Sequence, residues 1–179
     1  MRRFLAGDEQ AFDRLYDRHA PAMYQFALRL VGGREPDAED VVQEAWLRAA
    51  DRLSGFGWKS RLRTWLMGFT LNCAREWLRN ERRPANPGGA GAGGPRPGGP
   101  RSGDPRQAHV PPNVADLDLE RAISSLEDDL RFVLVLHDLE GHTHTQVGER
   151  LGIAEGTSKS RLSRARSQVR AALSGGGAR

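Results

Sequence analysis

A run of glycine and proline in the middle of the chain limits what it can fold into. Residues 84–113 hold eight of the 21 glycines and eight of the ten prolines, with almost no side chains that a core could bury. Such a composition is typical of a disordered linker. As a flexible coil its ends would lie about 30 Å apart. We therefore expect two small domains, 1–83 and 114–174, with a disordered tail at 175–179.

Both halves carry apolar residues at the three- and four-residue spacing of amphipathic helices. The first stripe consists of Phe12, Leu15, Tyr16, His19, Met23, Phe26, Ala27 and Leu30. Pro21 is expected to kink or split that helix. A second helix is predicted from Pro36, and a third from about Leu62 to Arg82. The apolar face of the second consists of Ala38, Val41, Val42, Ala45, Trp46 and Ala49. Because no segment alternates as a strand does, the predicted fold class is all-α.

The second half ends in the pattern of a helix-turn-helix. Two helices are predicted at residues 117–124 and 126–139, and residues 141–170 then read GHTHTQVGERLGIAEGTSKSRLSRARSQVR. Gly152 marks the end of one short helix, and Gly156 with Thr157 opens the next. In such a motif the later helix enters the major groove of duplex DNA. The C-terminal half is therefore predicted to bind DNA.

The basic residues of the chain are clustered. The net charge is +4 and the pI is near 9.9. Residues 61–83 contain six arginines and two glutamates, and residues 141–170 contain six cations and two glutamates. A general preference for arginine over lysine would not produce this clustering. Two separate basic patches favour two contacts with one long polyanion.

Other functional classes lack support in the sequence. Cys73 is the single cysteine, so no disulfide framework or cysteine-based zinc site can form within the chain. His142 and His144 alone are a weak metal signal, and we expect no metal and no cofactor. No nucleophile–base pair, phosphate loop or carboxylate pair indicates an enzyme. Because the chain begins without the apolar core of a signal peptide and has no membrane-spanning run, a cytoplasmic protein is expected.

Four segments resemble a known family in the family's own order. The segments GDEQAFDRLYDRH, DAEDVVQEAWLRA at 37–49 and TWLMGFTLNCAREWLR at 64–79 resemble the promoter-recognition domain of bacterial sigma factors. The segment LGIAEGTSKSRLSRAR at 151–166 resembles their second DNA-binding domain. Two such domains joined by a linker are similar to the extracytoplasmic-function (ECF) group of the sigma-70 family. The resemblance covers nearly all of the chain outside the linker.

The resemblance implies a function, partners and site residues. The function is to bind core RNA polymerase, through its β′ and β subunits, and to direct initiation at promoters with −35 and −10 elements. Many relatives are also held inactive by an anti-sigma factor. The implied polymerase-docking residues are Asp40, Gln43, Glu44 and Leu47. Those for the −10 element are Trp58, Lys59, Ser60, Arg61, Arg63, Asn72, Arg75 and Arg79. Those for the −35 element are Thr157, Lys159, Ser160, Arg161, Ser163, Arg164 and Arg166.

Residue chemistry agrees with these assignments but leaves an alternative open. Aromatic and cationic side chains in the loop 56–63 suit stacking with a base and pairing with phosphate. Arg161 and Arg166 are expected on phosphate rather than on bases. Ser158 stands where relatives commonly have valine, so we expect a less firmly seated recognition helix. The alternative is a two-domain helix-turn-helix regulator that needs neither polymerase nor single-stranded DNA; a recombinase or nuclease accessory domain is disfavoured because no catalytic cluster is present.

Overall fold

The computed structural model describes residues 9–57, 60–82 and 114–175. Over these ranges the secondary structure is helical and no strand occurs, which confirms the all-α fold class. The predicted linker at 84–113 and the predicted tail lie outside the described residues, as do Trp58 and Lys59. None of the described helices is long and apolar enough to cross a membrane.

Seven α-helices form the described part of the chain. They are α1 (Glu9–Leu30), α2 (Glu35–Arg52), α3 (Leu62–Glu81), α4 (Val114–Ser124), α5 (Asp128–Leu134), α6 (His144–Leu151) and α7 (Glu155–Gly175). A short 3₁₀ turn, Leu53–Gly55, follows α2, and a π-helical turn, Val135–Leu139, continues α5. Helix α1 runs through Pro21 without a break. The proline therefore removes one backbone donor but does not split the helix.

The chain divides into two compact units. One unit contains residues 1–25 and 39–109, and the other contains residues 26–38 and 110–179. The junction between α1 and α2 thus belongs to the same unit as the C-terminal helices.

An aromatic and ionic core holds the first unit together. The indole of Trp46 on α2 packs against Phe12 and Tyr16 of α1, with ring centroids 5.8 and 5.2 Å away. Between α2 and α3, the Arg48 guanidinium lies 2.8 Å from Glu76. All six residues predicted for the apolar face of α2 are buried. Packing of this face fixes which side of α2 remains exposed.

In the second unit, α4, α5 and α6 all pack against α7. The fully buried side chains there include Ile123, Leu130, Val133, Leu136 and Val147. Helix α7 contributes Leu162 and Ala165 to the same core. This packing presents one side of α7 to the protein and leaves the other to solvent.

A buried arginine ties the α1–α2 junction into the second unit. The Arg131 side chain is 5% exposed. Its guanidinium donates to the carbonyl oxygens of Leu30 (3.0 Å) and Leu126 (2.7 Å) and to that of Ser124 (3.3 Å), and it pairs with Asp128. These acceptors replace the water that a buried charge would otherwise require.

Candidate nucleic-acid interface

The first helix of the helix-turn-helix begins with a capping box. The Thr143 hydroxyl accepts a hydrogen bond from the backbone N–H of Gln146, and the Gln146 side chain accepts one from the N–H of Thr143. Two backbone donors that the helix cannot satisfy itself are thereby paired. The T-x-x-Q sequence is the local signal for this start.

Two glycines shape the turn that follows α6. Gly152 lies in the left-handed region, with φ of 70° and ψ of 38°, which agrees with the predicted end of the helix and favours glycine. Gly148 is packed so closely that a Cβ there would lie 2.7 Å from the carbonyl oxygen of Ile153. The need for glycine at position 148 depends on this close approach in space, so the local sequence does not indicate it.

Helix α7 has a buried side and an exposed side. Ser158, Leu162 and Ala165 are buried. The exposed residues of the predicted −35 set are Lys159, Ser160, Ser163, Arg164 and Arg166, whereas Thr157 and Arg161 are half-buried. The buried side holds the helix against the unit and the other side is open to a ligand. A recognition helix in a major groove needs this division.

Two arginines of the predicted −35 set contact acidic residues within the second unit. Arg161 pairs with Asp129 at 2.7 Å, and Arg166 pairs with Asp138 through two bonds of 2.9 and 2.6 Å. The Arg166 guanidinium holds the pKa of the Asp138 carboxyl below its usual range. Both arginines therefore help to fix α7 on the unit, whatever else they bind.

At the start of α7, Lys159 is held by a short chain of polar contacts. Its Nζ lies 2.6 Å from Glu155, whose carboxylate also accepts a hydrogen bond of 3.0 Å from the Thr145 hydroxyl on α6. The contacts lower the pKa of Glu155, with the hydrogen bond from Lys159 as the largest cause. Because these groups are exposed, the pair is weak, and Lys159 remains available to a stronger anion.

Part of the predicted −10 set lies along one side of α3. Asn72, Arg75 and Arg79 are exposed at helical spacing, and at about 100° per residue they share one face of α3. Arg61 directly precedes the helix in an extended conformation, and its side chain makes no capping hydrogen bond. The described end of the loop 56–63 is anchored by Phe56, whose buried ring lies 4.9 Å from that of Trp65.

Arg63 has a different neighbour from the rest of the −10 set. The pKa of the His19 imidazole is lowered mainly by burial. The nearby charges of Arg18 and Arg63 lower it further. Ser60 is exposed. Trp58 and Lys59 lie outside the described residues, so their position relative to the α3 face stays a prediction.

The predicted docking residues share one face of α2. Asp40, Gln43 and Leu47 are exposed, and Leu47 keeps 51% of its surface. Glu44 is half-buried and accepts a hydrogen bond of 2.9 Å from Arg48, which also reaches Glu76. The face thus combines an exposed apolar side chain with acidic groups, which suits a basic partner helix.

The two histidines of the weak metal signal, His142 and His144, lie within the described residues. No group of three or more histidine, cysteine or carboxylate side chains that could hold a metal ion occurs there. His144 instead stacks on His137 and bonds Ser158.

Family models match residues in both halves of the chain. The family model described as Sigma-70 region 2 matches residues 15–84, and that described as Sigma-70, region 4 matches residues 116–169. The ECF RNA polymerase sigma factor SigM of Mycobacterium tuberculosis is 31% identical over 165 residues, covering 92% of this chain and 78% of that protein. SigL of the same species is 36% identical over 158 residues, covering 83% and 80%.

Solved structures agree with this fold. The sigma factor RpoE in complex with the anti-sigma factor NepR, from Bartonella quintana, has a TM-score of 0.66 at 24% identity and covers 92% of this chain and 98% of its own. CnrH in complex with the cytosolic domain of CnrY has a TM-score of 0.57 at 26% identity, with coverage of 95% and 92%.

Two sigma-70 regions in one helical chain define a sigma factor, the class that directs RNA polymerase to promoters. The chain belongs to the ECF group of the sigma-70 family. The resemblance stated from the sequence is confirmed, and a regulator that acts without polymerase is not favoured.

Proposed function

We propose that α7 reads the −35 element through its exposed side. Lys159, Ser160, Ser163 and Arg164 supply donors to base edges and phosphates, and a bidentate arginine–guanine pair gives about 1–3 kcal/mol of discrimination. We assign Thr157, Arg161 and Arg166 to the margin of the same contact with the −35 element. The observation that carries the proposal is the division of α7, with Ser158, Leu162 and Ala165 buried on the opposite side.

The −10 element is assigned to the first unit. The cationic face of α3, with Arg61, Asn72, Arg75 and Arg79, suits the phosphates of a separated strand. Trp58 and Lys59, with Ser60 and Arg63, are assigned to the loop that captures a base. Stacking contributes about 1–3 kcal/mol per base. That is enough to hold a strand that polymerase has opened, and too little to melt a promoter alone.

Docking on core polymerase is assigned to the exposed face of α2. Leu47 provides the apolar contact, while Asp40, Gln43 and Glu44 provide acceptors for a basic helix of the β′ subunit. Glu44 is already oriented by Arg48, so it meets a partner with less loss of side-chain entropy. The β subunit is assigned as a further contact of the holoenzyme.

The remaining features of the proposal follow from this role. We assign the chain to the cytoplasm, where core polymerase acts, and we assign it no catalytic site or cofactor because promoter recognition requires binding alone. Functional boundaries at 1–83 and 114–174, with 84–113 as the tether, are part of the proposal. An anti-sigma partner is supported by RpoE and CnrH, which were solved with NepR and with CnrY.

A co-purification experiment tests the proposal. The full chain is mixed with core RNA polymerase and, separately, with promoter duplex alone. We expect a stable complex with core polymerase and only weak duplex binding by the free chain. Tight duplex binding without any complex with core polymerase would contradict the proposed function.

A further inference from the structure

A series of side-chain contacts joins the recognition helix α7 to α6 and to the π-helical turn Val135–Leu139, and it begins and ends on α7. At the first point, the Ser158 hydroxyl lies 3.0 Å from Nδ1 of His144 on α6. The His144 ring lies on that of His137 in the π-helical turn, with centroids 4.3 Å apart and planes at 30°. His137 contacts Asp138 at 2.8 Å, and Asp138 binds Arg166 of α7. Arg166 lies about two helical turns after Ser158, so these contacts hold α7 at two positions.

The position of Ser158 makes the first point sensitive to its partner. Ser158 has no exposed surface, so its hydroxyl cannot exchange His144 for bulk water while α7 stays seated. A buried hydroxyl without a partner costs about 1–3 kcal/mol. Leu162 and Ala165 lie further along the same buried side. A change at Ser158 therefore displaces α7 beginning at its first turn.

Charge around His144 opposes its protonation. The imidazole faces His137 from the π-helical turn, where Asp138 contacts His137, and it faces Glu155, Lys159 and Arg166 from α7. Its pKa is lowered, first by burial and then by His137, Lys159 and Arg166, while Glu155 acts in the opposite direction. The folded unit therefore holds a neutral imidazole more readily than a charged one.

We propose that His144 is a positioning residue that seats α7 for promoter reading only while its imidazole is neutral, so that −35 recognition weakens as the medium becomes acidic. The inference rests on the proposed role of α7. Its physical basis is the contact between Nδ1 of His144 and the buried Ser158 hydroxyl. Protonation turns Nδ1 from an acceptor into a donor, so the hydroxyl can no longer donate to it and must change its own orientation. A π-helical turn, often found at functional sites, places His137 and Asp138 for these contacts.

The direction of the pH effect follows from the two states. In the unfolded chain His144 has its ordinary pKa of 6.5, and in the folded unit the pKa is lower. Between these two values the unfolded state binds more protons, so stability falls as the pH drops through this window. His142 has a lowered pKa through burial and Arg150, and its titration acts in the same direction. A variant of His142 is therefore the matched control.

The test uses the full chain and three variants, His144→Gln, Ser158→Val and His142→Gln. Glutamine can keep a hydrogen bond to Ser158 but does not titrate. Backbone amide protection factors in α7 are measured at pH 7.5 and 5.5 without DNA or polymerase. For the unmodified chain we expect lower protection at pH 5.5 than at pH 7.5, because the pKa of His144 is lowered in the folded unit. His144→Gln should remove the larger part of the drop, and His142→Gln should retain that part.

The second readout is binding of the reconstituted holoenzyme to −35 duplex at the same pH values. We expect the affinity to fall with pH for the unmodified chain and to fall clearly less for His144→Gln, with equal affinity at pH 7.5. Ser158→Val should flatten the profile too, because it removes the group through which His144 acts. An unchanged pH profile in His144→Gln would overturn the proposal. If the protection of α7 depends on pH but the holoenzyme does not bind −35 duplex, the proposed role of α7 is overturned instead.

Discussion

Gly148 and Ile153 approach each other so closely that the turn of the helix-turn-helix has room only for glycine. A Cβ at position 148 would lie 2.7 Å from the Ile153 carbonyl oxygen, and the Ile153 N–H donates to the Gly148 carbonyl at 3.0 Å. The clash involves backbone, so no side-chain rotation can relieve it. The turn that sets α6 against α7 thus depends on one missing methyl group.

Gly148→Ala is expected to destabilise the second unit. Overpacking against backbone costs about 1–3 kcal/mol, which exceeds the gain of about 1 kcal/mol from alanine in a helix. Thermal unfolding followed by circular dichroism measures the change. Gly156→Ala is the control, since a Cβ there meets nothing within 4 Å and should slightly raise the midpoint. Equal midpoints for the two variants would contradict the account of the turn.

Arg131→Met is expected to destabilise the same unit by about 3 kcal/mol, because it leaves Asp128 and buried carbonyl oxygens without their donor. Urea denaturation gives the free energy of unfolding. Arg121→Met serves as the control, since the Arg121 side chain is 78% exposed in its pair with Asp118 and should change stability by less than about 0.5 kcal/mol. A decrease in the free energy of unfolding that occurs in Arg121→Met but not in Arg131→Met would refute the role given to Arg131.

Arg164→Ala is expected to reduce −35-dependent initiation about tenfold or more, as for loss of one base contact. Core polymerase binding should not change, since Arg164 lies on the exposed side of α7. Transcription from promoters with and without an intact −35 element provides the measurement. Arg121→Ala removes a cation from α4 and is the charge control. If both variants reduce initiation equally, the effect is one of total charge and the contact is not specific.

Leu47→Ala is expected to weaken the complex with core polymerase about tenfold, the scale of a buried leucine at an interface. Folding should be unaffected because 51% of Leu47 is already exposed. Titration of labelled chain with core polymerase measures the affinity. Leu117→Ala, at a position 40% exposed, is the control. Unaltered affinity in Leu47→Ala would remove the α2 face from the docking proposal.

The helices could be predicted from sequence because their signals are local. The apolar spacing along α2 identified Ala38, Val41 and Trp46, and the structure buries them. Leu62 begins α3 as expected, and Gly152 ends α6 in the left-handed conformation. Each of these features depends on residues within a few positions of one another.

The contacts that seat α7 could not be predicted in this way. Asp129 and Asp138 meet Arg161 and Arg166 across about thirty positions of sequence, and nothing in their own segment indicates those partners. Ser158 was expected to weaken the seat, but its hydroxyl bonds His144. The π-helical turn Val135–Leu139 departs from the regular helical repeat, and apolar spacing does not encode that departure.

Initiation with purified components tests most directly whether this chain directs polymerase to promoters. Core RNA polymerase is incubated with the full chain on genomic promoter templates, and the 5′ ends of the transcripts are mapped. We predict transcripts that require the chain and start at fixed positions downstream of shared −35 and −10 elements. Transcripts that are independent of the chain, or that show no shared upstream element, would contradict the claim.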